Sequence, residues 1–265
     1  MDISLREHCF KSDIRLFAYE AGEGPPVVLV HGGLANHFAC WQFAGPLTRT
    51  CRVITPDLRG AGRSHFAGTL TWDALADDIA ALLDHLGIAR AIVGGTSFGA
   101  GVAVRVALRH AARVAALLVL HPAYGGRALG LLPAQQQAMA AMHAVGSRVV
   151  AEGIDVLLPL FDALPVEIRE RAKRLVATYD PASVATTTAF MQSAAQPFER
   201  GDELRAIAVP ALLVPGVDPT HPPEVAAVFR QHLAHCEVRE ADAADLGNAI
   251  ATSTTLALAA DQLRS

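Results

Sequence analysis

No stretch of this 265-residue sequence approaches the ~20 consecutive apolar residues that cross a bilayer, so no membrane span and no membrane partner are expected. The opening MDISLREHCFK is polar and charged where a secretory signal carries an apolar core, which points to a cytoplasmic protein. Basic charge is sparse as well. The net charge is −4 and Lys and Arg are scattered in ones and twos, which leaves no face to track phosphates and argues against nucleic acid as a partner. Cysteine is scarce too. The four cysteines, Cys9, Cys40, Cys51 and Cys236, share no close spacing and form no CxxC or CxxH, so reduced thiols are expected rather than a metal or redox centre. No repeat, low-complexity tract or linker interrupts the chain.

The chain does have the material for a core. Hydrophobic residues make up 52% and charged residues 18%, the balance of a folded globular protein. At this length, one domain with an elaboration is expected rather than two independent ones. The runs PVVLV (Pro26 to Val30), VAALLVL (Val114 to Leu120) and ALLVPG (Ala211 to Gly216) are apolar without alternation, as strands covered on both faces should be. Helical patterns lie between them. In TWDALADDIAALLDHLGI, Trp72, Leu75, Ile79, Leu82, Leu83 and Leu86 form one stripe, Thr71 is a candidate N-cap and Gly87 a stop. In PPEVAAVFRQHL, Val225, Phe229 and Leu233 share a face behind Pro222 and Pro223. ISLREHCF and DIRLFAYEAG alternate, as an antiparallel hairpin at a sheet edge would. Strand and helix otherwise alternate, which is the pattern of an α/β fold with right-handed crossovers. From about Ala123 to Glu203 that rhythm stops. The segment is helical in composition and holds no convincing strand, so residues 1–122 and 204–265 are expected to form one core with residues 123–203 inserted as a helical lid.

The chemistry concentrates at Gly95-Thr96-Ser97-Phe98-Gly99, a G-x-S-x-G placed between an apolar strand and a helical run. The flanking glycines let a strand turn sharply into a helix with the serine exposed at the turn. A serine alcohol is a weak nucleophile at neutral pH. It needs a base within hydrogen-bond reach, and the oxyanion it generates needs N–H donors.

The chain resembles the α/β-hydrolase family almost end to end. The resemblance rests on VHGG (Val30 to Gly33), DLRGAGRS (Asp57 to Ser64), LADDIAALLDHLGI (Leu75 to Ile88), GGTSFGAG (Gly94 to Gly101) and PGVDPTHP (Pro215 to Pro222), in the family's order and spacing. It is similar in particular to the esterase, enol-lactone hydrolase and proline iminopeptidase-like branches. The resemblance implies a mostly parallel eight-stranded sheet flanked by helices, with an inserted helical lid. It further implies Ser97 as nucleophile, the N–H groups of Gly33 and Phe98 as oxyanion hole, Asp218 as the triad acid, and His31 as a structural brace for the oxyanion loop. No cofactor is implied, and the expected partner is a small-molecule substrate.

One family residue is missing. The base should follow the eighth strand, CEVREA, but no histidine occurs after His235, and Asp245 stands roughly where it would be, with Asp242 close by. Sites in such folds lie at the carboxyl ends of the parallel strands, which leaves His31, His37, His65, His121 and His221 of the eleven histidines on the expected side, with His143 a further candidate from the lid. His37 and His65 read as solvated or pocket-lining. His221, just beyond the seventh strand, is the leading candidate for the base, since two strand spacings, about 10 Å, separate its strand from that of Ser97. Asp218, or Asp242 or Asp245 in a swapped arrangement, could orient it. His121, one spacing or about 5 Å away, and Tyr124 read as substrate-facing.

The expected activity is hydrolysis of a small or medium-sized ester, thioester or lactone through an acyl-serine. A small-molecule binder, or a lyase or cyclase using the oxyanion hole, is the alternative that the absent histidine raises. An exposed apolar face on the lid would favour a homodimer.

Overall fold

The computed structural model describes residues 4–162, 166–193, 195–242 and 244–264. Ile3 of the expected hairpin, and Ala163 and Leu164 of the expected lid, lie outside them. Eight strands form one sheet in the order β1-β2-β4-β3-β5-β6-β7-β8. They are β1 (Arg6–Lys11), β2 (Arg15–Ala21), β3 (Pro26–Val30), β4 (Arg52–Asp57), β5 (Ala91–Thr96), β6 (Val114–Leu120), β7 (Ala211–Val214) and β8 (Cys236–Val238). The β1–β2 and β2–β4 pairs are antiparallel and the rest parallel. The sheet is thus mostly parallel, with the hairpin at one edge.

Both faces of the parallel strands are covered, which is why their sequences do not alternate. Val28, Val30, Val93, Leu117, Val119 and Leu213 point to one face. There they meet α2 (Trp72–His85), α3 (Phe98–Arg109) and α8 (Pro223–His232). Val27, Leu29, Ile92, Leu118, Leu120 and Leu212 point to the other, against α1 (His37–Ala44), α9 (Leu246–Ala251) and α10 (Thr254–Arg264). Successive residues of a strand face opposite sides, so each unbroken apolar run serves two cores at once. The caps of α2 follow the sequence reading: the Thr71 side chain accepts from the Ala74 N–H, and Gly87 takes φ +65° just past the end.

Strands β7 and β8 are shorter than the expected ALLVPG and CEVREA. β7 stops at Val214 because Pro215 has no N–H to continue the ladder. β8 is an edge strand with a neighbour on one side only, and covers three residues. Between β6 and β7 stand α4 (Pro133–Gly146), α5 (Val149–Glu152), α6 (Val166–Val176) and α7 (Pro181–Gln192), with no strand among the described residues of that segment. Val149, Leu157, Val176 and Val184 form a small core of its own, while Met139 and Met191 reach into the main core. Leu157, Leu158, Leu160 and Phe161 therefore pack the segment internally, while Leu129 and Leu131 pack against the main core. Among the described residues no helix is long and apolar enough to cross a membrane.

Candidate active site

Ser97 sits between the end of β5 and the start of α3 with φ 56° and ψ −116°, a region that L-residues seldom adopt. Two glycines permit it. A Cβ on Gly95 would meet the Gly99 carbonyl at 2.3 Å, and one on Gly99 would meet the Val30 oxygen at the same distance. Strand and helix thus approach each other more closely than any side chain allows. The Ser97 N–H donates to the Leu120 carbonyl at 3.0 Å, which fixes the turn to β6 and leaves the hydroxyl free to point away from the sheet.

The loop after β7 brings His221 to the serine. Gly216 is again obligatory, since a Cβ there would lie 2.2 Å from the Cβ of His221. The turn is organised by Asp218: its Oδ1 accepts from the Thr220 N–H at 2.8 Å, the Thr220 hydroxyl at 2.6 Å and the His221 N–H at 3.0 Å. Its Oδ2 accepts from Nδ1–H of His221 at 2.8 Å. The opposite ring nitrogen, Nε2, then carries a lone pair, and it lies 2.8 Å from the Ser97 hydroxyl. Burial works against the Asp218 carboxylate, but the hydrogen bonds from Thr220 and His221 outweigh it and hold its pKa at about 2.

The two residues expected to supply oxyanion donors, Gly33 and Phe98, flank the serine. Phe98 is the first residue of α3, so its N–H has no partner within the helix. A Cβ built on Gly32 would touch the Ser97 Cβ at 3.5 Å, and one on Gly33 would stand 3.7 Å from the Phe98 Cβ, so the Gly32–Gly33 turn lies directly against the elbow. His31 braces that turn: its Nδ1–H donates to the Gly32 carbonyl at 2.7 Å and its Nε2 accepts from the Leu58 N–H at 3.1 Å. Burial lowers the pKa of this histidine, in keeping with a neutral structural ring.

The remaining candidates fall elsewhere. Asp242 and Asp245 do not orient His221; Oδ1 of Asp242 accepts from the N–H groups of Ala244 and Asp245 in the turn that leads into α9. The swapped arrangement is therefore not the one formed, because Asp218 already occupies the Nδ1 side of the ring. Tyr124 does not face the site. It is 1% exposed, its ring packed edge-on against Trp72 and Phe98. His121 follows the last residue of β6 with φ 44°, donates Nε2–H to the Ala241 carbonyl at 3.1 Å, and has its ring centroid 6.5 Å from that of His221. It lines an open groove with Asp218, Glu240, Asp242 and Asp245. His37 is buried rather than solvated: its Nδ1 pairs with Asp57 at 2.7 Å and its ring stacks on Tyr19 at 3.6 Å. His65 is exposed.

Sequence reasoning missed Thr220, whose hydroxyl supports Asp218; its place two residues after the aspartate was the available signal. It also missed the His37–Asp57 pair, which joins residues with no sequence pattern in common. Among the described residues no group of three His, Cys, Asp or Glu side chains is arranged to hold a metal ion.

Residues 25–248 match the family model of the alpha/beta hydrolase fold. The lipase LipV of Mycobacterium tuberculosis is 39% identical over 100 residues, 38% of this chain and 38% of the lipase. The matched part thus spans well under half the length of that curated relative. Among solved structures, a thermophilic esterase from Thermogutta terrifontis superposes with a TM-score of 0.76 at 22% identity, covering 98% of this chain and 100% of the esterase. The enol-lactonase from Burkholderia xenovorans superposes with a TM-score of 0.72 at 23% identity, covering 95% of this chain and 97% of that one. At those identities the superpositions speak to the fold.

Proposed function

The chain belongs to the alpha/beta hydrolase fold family, and from that premise we propose that it is a serine hydrolase cleaving a small or medium-sized carboxylic ester, thioester or lactone. The observation that carries the reading is the 2.8 Å contact between His221 Nε2 and the Ser97 hydroxyl, with Asp218 on the other side of the ring.

His221 takes the Ser97 proton as Oγ bonds to the substrate carbonyl carbon, and the carbonyl π electrons move to oxygen. The N–H groups of Gly33 and Phe98 hold that oxyanion, and the positive end of α3 adds to them. Asp218 keeps the proton on Nδ1 and stabilises the imidazolium. When the carbonyl re-forms, the leaving oxygen or sulfur departs with the proton from Nε2. Water, deprotonated by the same nitrogen, then releases the acid from Ser97 by the reverse sequence. The reaction as written needs no cofactor.

The α4–α7 segment serves as the lid. A narrow cavity of about 20 Å³ runs from Gly32, Gly33 and Phe98 beneath Tyr179, Ser183 and Thr187, and its size suits a short acyl group. His121 stands on the groove side and meets the leaving group. The lipase, esterase and enol-lactonase relatives support this substrate class. The binder and lyase readings drew on the want of a base, and a histidine in hydrogen-bond reach of Ser97 weakens them. The test is stopped-flow turnover of p-nitrophenyl acetate: a burst of one p-nitrophenolate per chain, abolished in Ser97→Ala, is expected. Turnover that survives Ser97→Ala would overturn the reading.

A further inference from the structure

The loop that carries the Gly33 N–H is held on both sides but needs help in the middle. His31 fastens its start to Gly32 and Leu58. At its end Asn36 is buried and caps α1, accepting from the Phe38 N–H at 3.1 Å. Between these anchors Leu34 adopts φ 50°. That left-handed conformation is unfavourable for a branched L-residue, and it persists only where the surroundings impose it.

The surroundings that impose it belong to the α4–α7 segment. The Leu34 side chain packs against that segment's own apolar cluster, beside Val149, Leu157, Val176 and Val184. The Leu34 carbonyl accepts a hydrogen bond from the hydroxyl of Tyr179. Tyr179 is itself held in place: its N–H donates to the Val176 carbonyl at 2.9 Å, closing α6. The next residue, Asp180, caps α7 by accepting from the Ser183 N–H at 2.8 Å. Burial pushes the Tyr179 phenol above its usual range, so the hydroxyl remains a donor throughout the working pH range.

We propose that Tyr179 is a positioning residue for the oxyanion hole: by holding the carbonyl of left-handed Leu34 it anchors the chain on the far side of Gly33 from His31, so that the segment above the site completes the site below it. The Gly33 N–H shares a peptide plane with the Gly32 carbonyl, which His31 holds, and the Leu34 carbonyl that Tyr179 holds lies two planes further on; with the chain fixed at both points, the rotations about Gly33 and Leu34 that would let the loop swing are restrained. Two other bonds from the segment go to a different loop. The Ser183 hydroxyl accepts from the Phe66 N–H at 2.9 Å, and the Thr187 hydroxyl donates to the Gly60 carbonyl at 3.3 Å. They dock the segment without touching the oxyanion loop, which is why removal of the Tyr179 hydroxyl should leave the segment in place and free the loop alone.

The kinetic part of this inference rests on the hydrolase reading; the structural part does not. The experiment compares the native chain with Tyr179→Phe by hydrogen exchange of the Val30 to Asn36 backbone and by kinetics on p-nitrophenyl acetate. Faster exchange in that loop, with the Phe66 region unchanged, is expected. It should come with a fall in kcat of roughly tenfold and KM within about twofold, since the donor acts on the transition state more than on the bound ester. Should Tyr179→Phe fold poorly, Leu34→Ala removes the apolar half of the same contact and carries the same expectation. Unchanged exchange in the loop overturns the proposal whatever the activity. Faster exchange with unaltered kcat overturns it too, because the loop would then move without consequence. Failure of the hydrolase reading is distinct: the native chain itself would give no turnover, and the exchange result alone would then decide whether Tyr179 holds the loop.

Discussion

The carboxylate that orients His221 comes from three residues earlier in the same turn, and its environment explains how so short a loop suffices. One oxygen of Asp218 takes three donors from Thr220 and His221, which rigidifies the turn, and the other is left for Nδ1–H. With its pKa at about 2, Asp218 is ionised at any pH where the protein would work. Loss of activity on mild acidification is therefore not a titration of this group. Asp218→Asn should keep the fold but present an N–H or a weaker acceptor to Nδ1, allowing the wrong tautomer. A fall in kcat of roughly 10²–10⁴-fold with little change in KM is expected, the lower part of that range reflecting the half-exposed carboxylate. Steady-state kinetics of the variant provide the check. The turn at Ser97 and the approach of His221 to it were legible in the sequence, the first from glycines on both sides and the second from its place after a parallel strand. The choice among Asp218, Asp242 and Asp245 was not, because it depends on which way two loops lean. Nor was the burial of Tyr124, three residues from a site-facing histidine, since a strand end followed by a turn gives no periodicity to read.

Among the elements, the edge strand β8 is the weakest by length, and its attachment is polar. Glu237 receives the Thr254 hydroxyl at 2.7 Å, the Thr255 N–H at 2.9 Å and the Thr255 hydroxyl at 3.0 Å on one oxygen, and Arg239 on the other. One carboxylate thus fastens β8 to the start of α10. Partial burial disfavours its charge, yet these donors bring its pKa down to about 2. A carboxylate depressed on folding contributes stability that is complete above its unfolded pKa, near 4.3, and is lost as pH falls through the folded value. Glu237→Gln should therefore lower Tm at neutral pH by an amount equivalent to about 1–2 kcal/mol. The gap to the native chain should close between about pH 4.3 and 2. Thermal melts across that range test it; a gap that is constant with pH would contradict it. The strands themselves were readable because unbroken apolar runs need cover on both faces. Their ends were not readable for β7 and β8, where Pro215 and an unpaired edge cut the ladder short.

Across the whole molecule, one buried guanidinium joins three parts of the fold. Arg59, 4% exposed, pairs through two nitrogens with Asp78 of α2 at 2.7 Å and also bonds Asp13 in the β1–β2 turn. It ties the edge hairpin, a helix and the loop after β4 into one body. Arg59→Ala would leave Asp78, also buried, without its partner. Breaking such a pair costs about 3–5 kcal/mol, so a large drop in the urea midpoint is expected, and a shift under about 1 kcal/mol would show that Asp78 escapes to water. The architecture as a whole was legible from the order of apolar runs, helical stripes and glycine-flanked turns. The ion network was not, because its members lie 19 and 46 residues from Arg59 and only the folded sheet brings them together.

The central claim is that Ser97 is a nucleophile activated by a histidine from the loop after β7, and covalent labelling reads it directly. Intact-mass spectrometry after a fluorophosphonate probe should show a single, rapid addition to the native chain, none to Ser97→Ala, and addition slowed by roughly 10²-fold or more in His221→Ala. A native chain that stays unlabelled at probe levels saturating an ordinary esterase, or a His221→Ala variant labelled as fast as the native one, would contradict the account.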